Sequence, residues 1–258
     1  MSISESLFFI YDNVNFYEQF GIINVHVDSG LYDESFLSNR TIIEQKIRKN
    51  PVPYFQEIQE DTLELKLSFA FSDKFDEEKI REVARSLKKD FYAPLIFSEN
   101  PDRIFFALCT DNPRLIHTGL GTGYINLNFR CNAPWSFSPI YSSPIYDYSS
   151  NSVEGTQLKF INNGDLPLSP LINVEIVSGT SFSIQNLSDG GKLMSFTDLE
   201  VGEILEINCE SEDIKTNIPL IYRYDSISGD FLSLNRGISN LLVKGNIKLQ
   251  FQYEHRIL

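Results

Sequence analysis

Apolar and polar residues alternate with a period of two along most of the chain. In "LELKLSFAF", Leu63, Leu65, Leu67, Phe69 and Phe71 fall on one side and Glu64, Lys66 and Ser68 on the other. That pattern predicts a strand with one face in a core and the other in water. "INVHVD" sets Ile23, Val25 and Val27 against Asn24, His26 and Asp28. "IKLQFQYE" sets Ile247, Leu249, Phe251 and Tyr253 against Lys248, Gln250, Gln252 and Glu254. Strands wet on one face belong to antiparallel sheets.

One segment departs from this period. "DEEKIREVARSLKKD" places Ile80, Val83, Ala84 and Leu87 at helical spacing. Asp76 stands as N-cap, Glu77 and Glu78 lie in the first turn, and Lys88 and Lys89 lie at the end, which complements the helix dipole. The spacing predicts a helix over about 76–89. Its outer face mixes Glu, Lys and Arg without a basic excess, so it packs on a sheet through its apolar stripe.

Turn signals divide the chain after this helix. "APLIFSE", "NPD" and "RIFFALCT" read as a hairpin, and "DNPR" as a further turn. From Trp135 to Ser152 the texture becomes rich in Pro, Ser and Tyr, which reads as a domain junction. Past Ser152, about eight to ten short strands are punctuated by "NNGD", "SDGG", "SISGD" and "NRG", the spacing of a β-sandwich. The expected fold is therefore mainly β. An N-terminal β domain with one packing helix spans 1–138, a junction 139–152, and a C-terminal sandwich 153–258. The pattern leaves open whether the last strand stays in the sandwich or returns to the first domain.

Charge narrows the partners. The chain has 35 acidic and 22 basic residues, a net charge of -13, shared almost evenly between its halves. That balance argues against a sequence-independent grip on nucleic acid or on an anionic membrane, both of which need basic groups. The first residues lack a basic flank followed by an apolar stretch, and no run approaches the roughly 18 apolar residues that span a bilayer. Folding in a cytoplasm is expected. Cys109, Cys131 and Cys209 form no CxxC pair and read as reduced core thiols.

Candidate chemistry is sparse. His26, His117 and His255 are the only histidines, and none sits in a serine or cysteine motif. No HExxH or His/Cys cluster occurs, and "SDKFDEE" lacks the glycine and terminal glutamate of a calcium loop. No metal, cofactor or catalytic residue is expected. Glu60 with Asp61, and Glu210 with Glu212 and Asp213, are paired carboxylates at strand ends, where solvated charge is the ordinary reading. "HTGLGTGYINLNFRC" carries Gly119, Gly121 and Gly123, but Tyr124 stands where a dinucleotide loop needs glycine, and a strand-like alternation follows it. The glycines therefore join two strands and do not hold a phosphate. Tyr222 and Tyr224 in "LIYRYD" are the residues a carbohydrate-binding module would offer to a glycan.

Several stretches together resemble the distal tail protein (Dit) of long-tailed, non-contractile bacteriophages. They are "GIINVHVDSGLYDESFLSNRTIIEQKI", "PYFQEIQEDTLELKLSFAF", "DEEKIREVARSL", "PLIFSENPDRIFFA", "GYINLNFRCNAPWSFSPIY", "LKFINNGDLPLSPLINVEI" and "GISNLLVKGNIKLQFQYEHRIL". They run in the family's order over nearly the whole chain. The resemblance implies a homohexameric ring built by the N-terminal domain, with a galectin-like C-terminal sandwich outside it. It also implies docking to the tail tube protein on one side and to the tail-associated adhesin or lysin hub on the other, with a receptor-binding protein as a further partner. The implied location is the distal end of the virion tail, after assembly in the bacterial cytoplasm. No galectin sugar-binding signature occurs in the sandwich.

Between Arg40 and Glu60, "RTIIEQKIRKNPVPYFQEIQE" joins two strand-like runs through a proline-flanked tip too long for a tight turn. It reads as an arm reaching a neighbouring subunit, with an ordinary surface hairpin as the alternative. Arg40, Ile43, Ile47, Pro51, Pro53, Tyr54 and Phe55 are its candidate contact residues: the prolines blunt the edge and the aromatics anchor it.

Overall fold

The computed structural model describes residues 3–25 and 37–258. His26, Val27 and Asp28 of the predicted strand "INVHVD" lie outside the described residues. The chain divides into two compact units, Met1–Phe137 together with Leu258, and Ser138–Ile257.

The first unit is built on an antiparallel sheet covered on one face by two helices. Its elements in chain order are β1 (Phe9–Tyr11), β2 (Val14–Asn15), α1 (Phe16–Phe20), β3 (Ile22–Asn24), β4 (Arg40–Gln45), β5 (Tyr54–Glu60), β6 (Glu64–Phe71), α2 (Glu77–Leu87), β7 (Ala93–Phe97), β8 (Asn100–His117), β9 (Gly123–Cys131) and β10 (Ser136–Phe137). The strand order is β2-β1-β7-β8-β9-β6-β3, with β10 on β8. The predicted alternation sets the covered face: Leu65, Leu67, Phe69 and Phe71 of β6 are buried, as are Ile125, Leu127, Phe129 and Cys131 of β9.

In β3 the phase differs from the prediction by one residue. Ile22 is the fully buried residue and Ile23 is only half-buried. Ile22 stands opposite Phe71 in the register, and cross-strand partners share a face, so the buried side of β6 dictates which isoleucine enters the core.

The helix α2 is capped by Asp76, whose side chain accepts from Lys79 N. It ends at Leu87, two residues short of the expected limit, and Lys89 instead pairs with Asp12. A second helix, α1, is an addition to the expected single helix. Asn15 caps it, Gly21 closes it at φ 61°, and its Phe16 stacks on Phe9 at 4.3 Å. Five residues are too few to display a helical period, so the cap and closing glycine are its only local signals.

"DNPR" does not end a strand. β8 runs through it with a bulge between Thr110 and Arg114; Asp111 turns left-handed at φ 59° and accepts from Asn128 Nδ2. The glycine stretch is the β8–β9 hairpin, closed by Thr118 N to Thr122 O at 2.9 Å, with Gly121 at φ 75°.

The second unit contains β11 (Tyr141–Ser142), β12 (Tyr146–Asp147), β13 (Thr156–Asn162), β14 (Leu171–Asn186), β15 (Lys192–Phe196), β16 (Ile204–Asn208), β17 (Asp213–Thr216), β18 (Ile227–Gly229) and β19 (Gly237–Tyr253). Two long strands organise it. The first half of β14 pairs with β16 and with the second half of β19; its second half pairs with β15 and with the first half of β19. Each long strand therefore serves two layers, with register breaks between Ile176 and Ser183. Gly245, at φ 102°, turns β19 where any Cβ would meet Phe182 Cβ at 2.8 Å. The two layers enclose one core that includes Ile172, Val174, Ile184, Phe196, Leu241 and Leu249.

Short parts of the Pro/Ser/Tyr segment pair regularly. β11 and β12, each paired over two residues, lie on the second half of β19, because short tracts between prolines can still pair with an edge that a long strand leaves open. β19 itself belongs to the second unit, and Leu258 is grouped with the first.

Candidate functional site

The segment expected to reach outward is a two-stranded ribbon, β4 with β5, that pairs with no other strand among the described residues. Its root is tied by Asp61 N to Asn39 O at 2.9 Å and by Ser38 Oγ to Glu60 at 2.7 Å. Beyond the root, water surrounds it. Arg40, Ile47, Pro51, Tyr54 and Phe55 are exposed, and Ile43 and Pro53 are half-buried. Tyr54 and Phe55 expose 56% and 64% of their surface, a large apolar cost for a ribbon that has no sheet to join.

The register of the ribbon contains a bulge that has no signature in the sequence. Ile43 pairs with Glu57, and Glu44 with Phe55, so Gln56 is the extra residue. An extra residue shifts the alternation on β5. Phe55 is thereby brought to the same face as the cross-strand pair Ile42 and Ile58, with Glu44 beside it and Arg40 and Glu60 at the root end. Ile42 and Ile58 are exposed too, at 62% and 42%. The ribbon carries an uncovered apolar face, and Tyr54 lies on its other side.

The second unit presents an apolar loop. Tyr222 and Tyr224 lie in the irregular segment between β17 and β18. Leu220 and Tyr222 expose 93% and 78% of their surface. Between the tyrosines, Arg223 turns inward to a buried Glu203, with Nε to Oε1 and Nη2 to Oε2 both at 2.8 Å. Burial pushes the Glu203 carboxyl up, but hydrogen bonds from Arg223, Thr216 and the Glu200 N–H outweigh it and hold the group below its ordinary value.

The remaining titratable candidates are structurally engaged. His255 is buried, with Nδ1 3.1 Å from Asn162 Oδ1, and burial lowers its pKa. His117 is exposed beside Thr118 O. Glu210 pairs with Arg256 at 2.6 Å, and Asp213 accepts from the Tyr224 phenol at 2.5 Å. Cys131 and Cys209 are buried and burial pushes their thiols up to about 12; that of Cys109 rises to about 11. Among the described residues no group of three or more His, Cys, Asp or Glu is placed to hold a metal ion. No helix among them is long and apolar enough to cross a membrane.

An open ribbon and a sandwich built on two long strands describe a scaffold with contact surfaces, and known families give that scaffold its class. The model of a phage tail protein N-terminal domain matches residues 4–133, and that of a siphovirus-type tail component C-terminal domain matches residues 163–256. The chain belongs to this phage tail protein family, as a Dit-like tail component. It is 28% identical, over 99% of its own length and all of the relative's, to an SPbeta prophage-derived uncharacterized protein, YomH, of Bacillus subtilis strain 168. Its fold is similar to that of SPP1 Dit (gp 19.1), a hub adsorption apparatus protein of phages infecting Gram-positive bacteria. The TM-score is 0.69 at 15% identity, covering 97% of this chain and 99% of that one.

Proposed function

We propose that this tail component is the distal hub of its virion. Six copies close into a ring through the β4–β5 ribbon, and the ring joins the tail tube to the tail-tip adhesin or lysin proteins. The work is done by assembly and docking, without a chemical step. The observation that carries the reading is the ribbon itself: a two-stranded hairpin is marginal in water, and this one exposes Ile42, Ile47, Tyr54, Phe55 and Ile58 together. Such a surface is stable in a phage particle when a partner covers it, and a second copy is always present at equal concentration. A closed ring gives every ribbon the same seat.

Negative-stain microscopy of the purified full-length protein tests the reading. Rings with a central channel support it, with six-fold averages expected. Monodisperse monomers at high concentration count against it.

A second reading rests on Tyr222 and Tyr224. Two exposed tyrosine rings flank Arg223 on one loop, and exposed aromatic rings are the kind of surface that stacks on a sugar. Sedimentation of the full-length protein with host cell-wall glycan tests it. Binding that disappears in Tyr222→Ala supports a carbohydrate contact, and wild-type protein left entirely in the supernatant rejects it.

A further inference from the structure

The helix α2 leaves its own stripe unfinished. Of the four apolar residues at helical spacing, Val83 and Leu87 are buried, whereas Ile80 is half-buried and Ala84 is exposed. They open into a cavity of about 310 Å³ between α2 and the β8–β9 sheet, lined also by Cys109, Leu115, Ile125 and Leu127. At its rim stand Lys88, Pro113 and Arg114. Two cations at the mouth of an apolar groove stand out in a chain of net charge -13. The bulge at Gln56 builds the complementary object: Ile42, Phe55 and Ile58 on one ribbon face, with Glu44 next to Phe55 and held, among the described residues, only by the exposed Lys46 at 3.8 Å, a surface pair of little strength.

We infer that this groove is the seat for the Ile42, Phe55 and Ile58 face of the ribbon from a second copy of the chain, with Lys88 and Arg114 meeting Glu44. The inference rests on the reading of the ribbon as an inter-subunit arm and specifies where that arm lands. Polarity and charge agree. The groove is lined mainly by apolar side chains, and the ribbon offers apolar side chains without a sheet to cover. Seating one on the other removes both exposed surfaces from water, and the acid at the ribbon's apolar face sets its orientation against the basic rim.

The test is a cross-link between the two faces. In a Cys109→Ser background, Cys131 and Cys209 are buried and do not compete. Glu44→Cys and Lys88→Cys both replace exposed residues and leave Ile42, Phe55 and Ile58 in place, so the double variant is expected to fold and assemble, checked by circular dichroism and light scattering. Mild oxidation of the double variant should give a covalent ladder on a non-reducing gel, collapsed by reductant and absent from either single variant. Co-expressed single variants should give only the dimer band. If the protein is oligomeric by light scattering but no inter-chain bond forms, the groove is the wrong seat although the arm reading stands. A bond that forms within one chain also overturns the inference. If the wild-type protein is monomeric, the arm reading falls with it. Lys88→Glu gives an independent readout: it should weaken assembly, and Glu44→Lys should restore it.

Discussion

Arg223 and Glu203 meet through two hydrogen bonds of 2.8 Å beneath the loop that carries Tyr222 and Tyr224. Both residues are buried, and the pair is completed by Thr216 Oγ1 on Glu203 at 2.6 Å and by Arg223 Nη1 on Asp198 O. A fully satisfied buried pair fixes geometry more than it adds stability. Here it fixes Tyr222 and Tyr224 outward. Removing one partner leaves an uncompensated buried charge, so Arg223→Ala should destabilise the second unit by about 3–5 kcal/mol. Urea unfolding followed by near-ultraviolet circular dichroism measures this. Replacing both partners by Met and Leu should cost far less.

The same pair sets an acid limit. Glu203 has a folded pKa below its unfolded value, so its stabilisation is present above the ordinary carboxylate pKa and is lost as pH falls through the lower folded value. His255 acts in the same direction at higher pH. Its folded pKa lies below its ordinary value, so the unfolded chain binds the proton first and stability declines as pH drops below about 6.5. His255→Gln should flatten the dependence of melting temperature on pH between neutrality and mild acid. An unchanged slope in that variant would show that another group controls it.

The glycine hairpin separates residues that look alike in sequence. At Gly123 a Cβ would stand 2.2 Å from Ile116 O, whereas Gly119 faces open space. Gly123→Ala must push the β8 and β9 backbones apart and should cost about 1–3 kcal/mol, the usual range for overpacking. Gly119→Ala should leave the thermal midpoint unchanged or slightly raised. Differential scanning calorimetry of the two variants makes the comparison.

The ribbon gives the assembly prediction. Tyr54 and Phe55 are exposed in the single chain, so the double change to Ser should leave the fold and melting profile of the monomer intact while removing self-association. Multi-angle light scattering on the purified variant reads the mass directly. An intact oligomer from that variant would end the arm reading.

Periodicity alone is enough to identify β6, β9 and the end of β19. Their alternation is long, and one face of each is buried along it. The absence of a phosphate loop is equally readable, because a strand follows Gly123. The helix α1 escapes because so short a segment does not show a period, and the continuation of β8 through "DNPR" escapes because a bulge and a turn use the same residues. The ribbon is legible as a projecting hairpin from its prolines and length, but not the face it presents.

The sequence by itself determined which residues prefer burial, where the chain turns, and that the chain is β-rich. Only the tertiary structure decided three other matters. It chose Ile22 over Ile23, because Phe71 on the neighbouring strand holds the covered side. It made β14 and β19 single strands shared by two layers, because Gly245 lets β19 turn where Phe182 approaches. It put Phe55 beside Ile42 and Ile58, because a bulge is a property of a pair of strands and not of either alone. Local composition fixes what each residue prefers, while register and bends arise from the partner across the ladder, which a linear pattern does not contain.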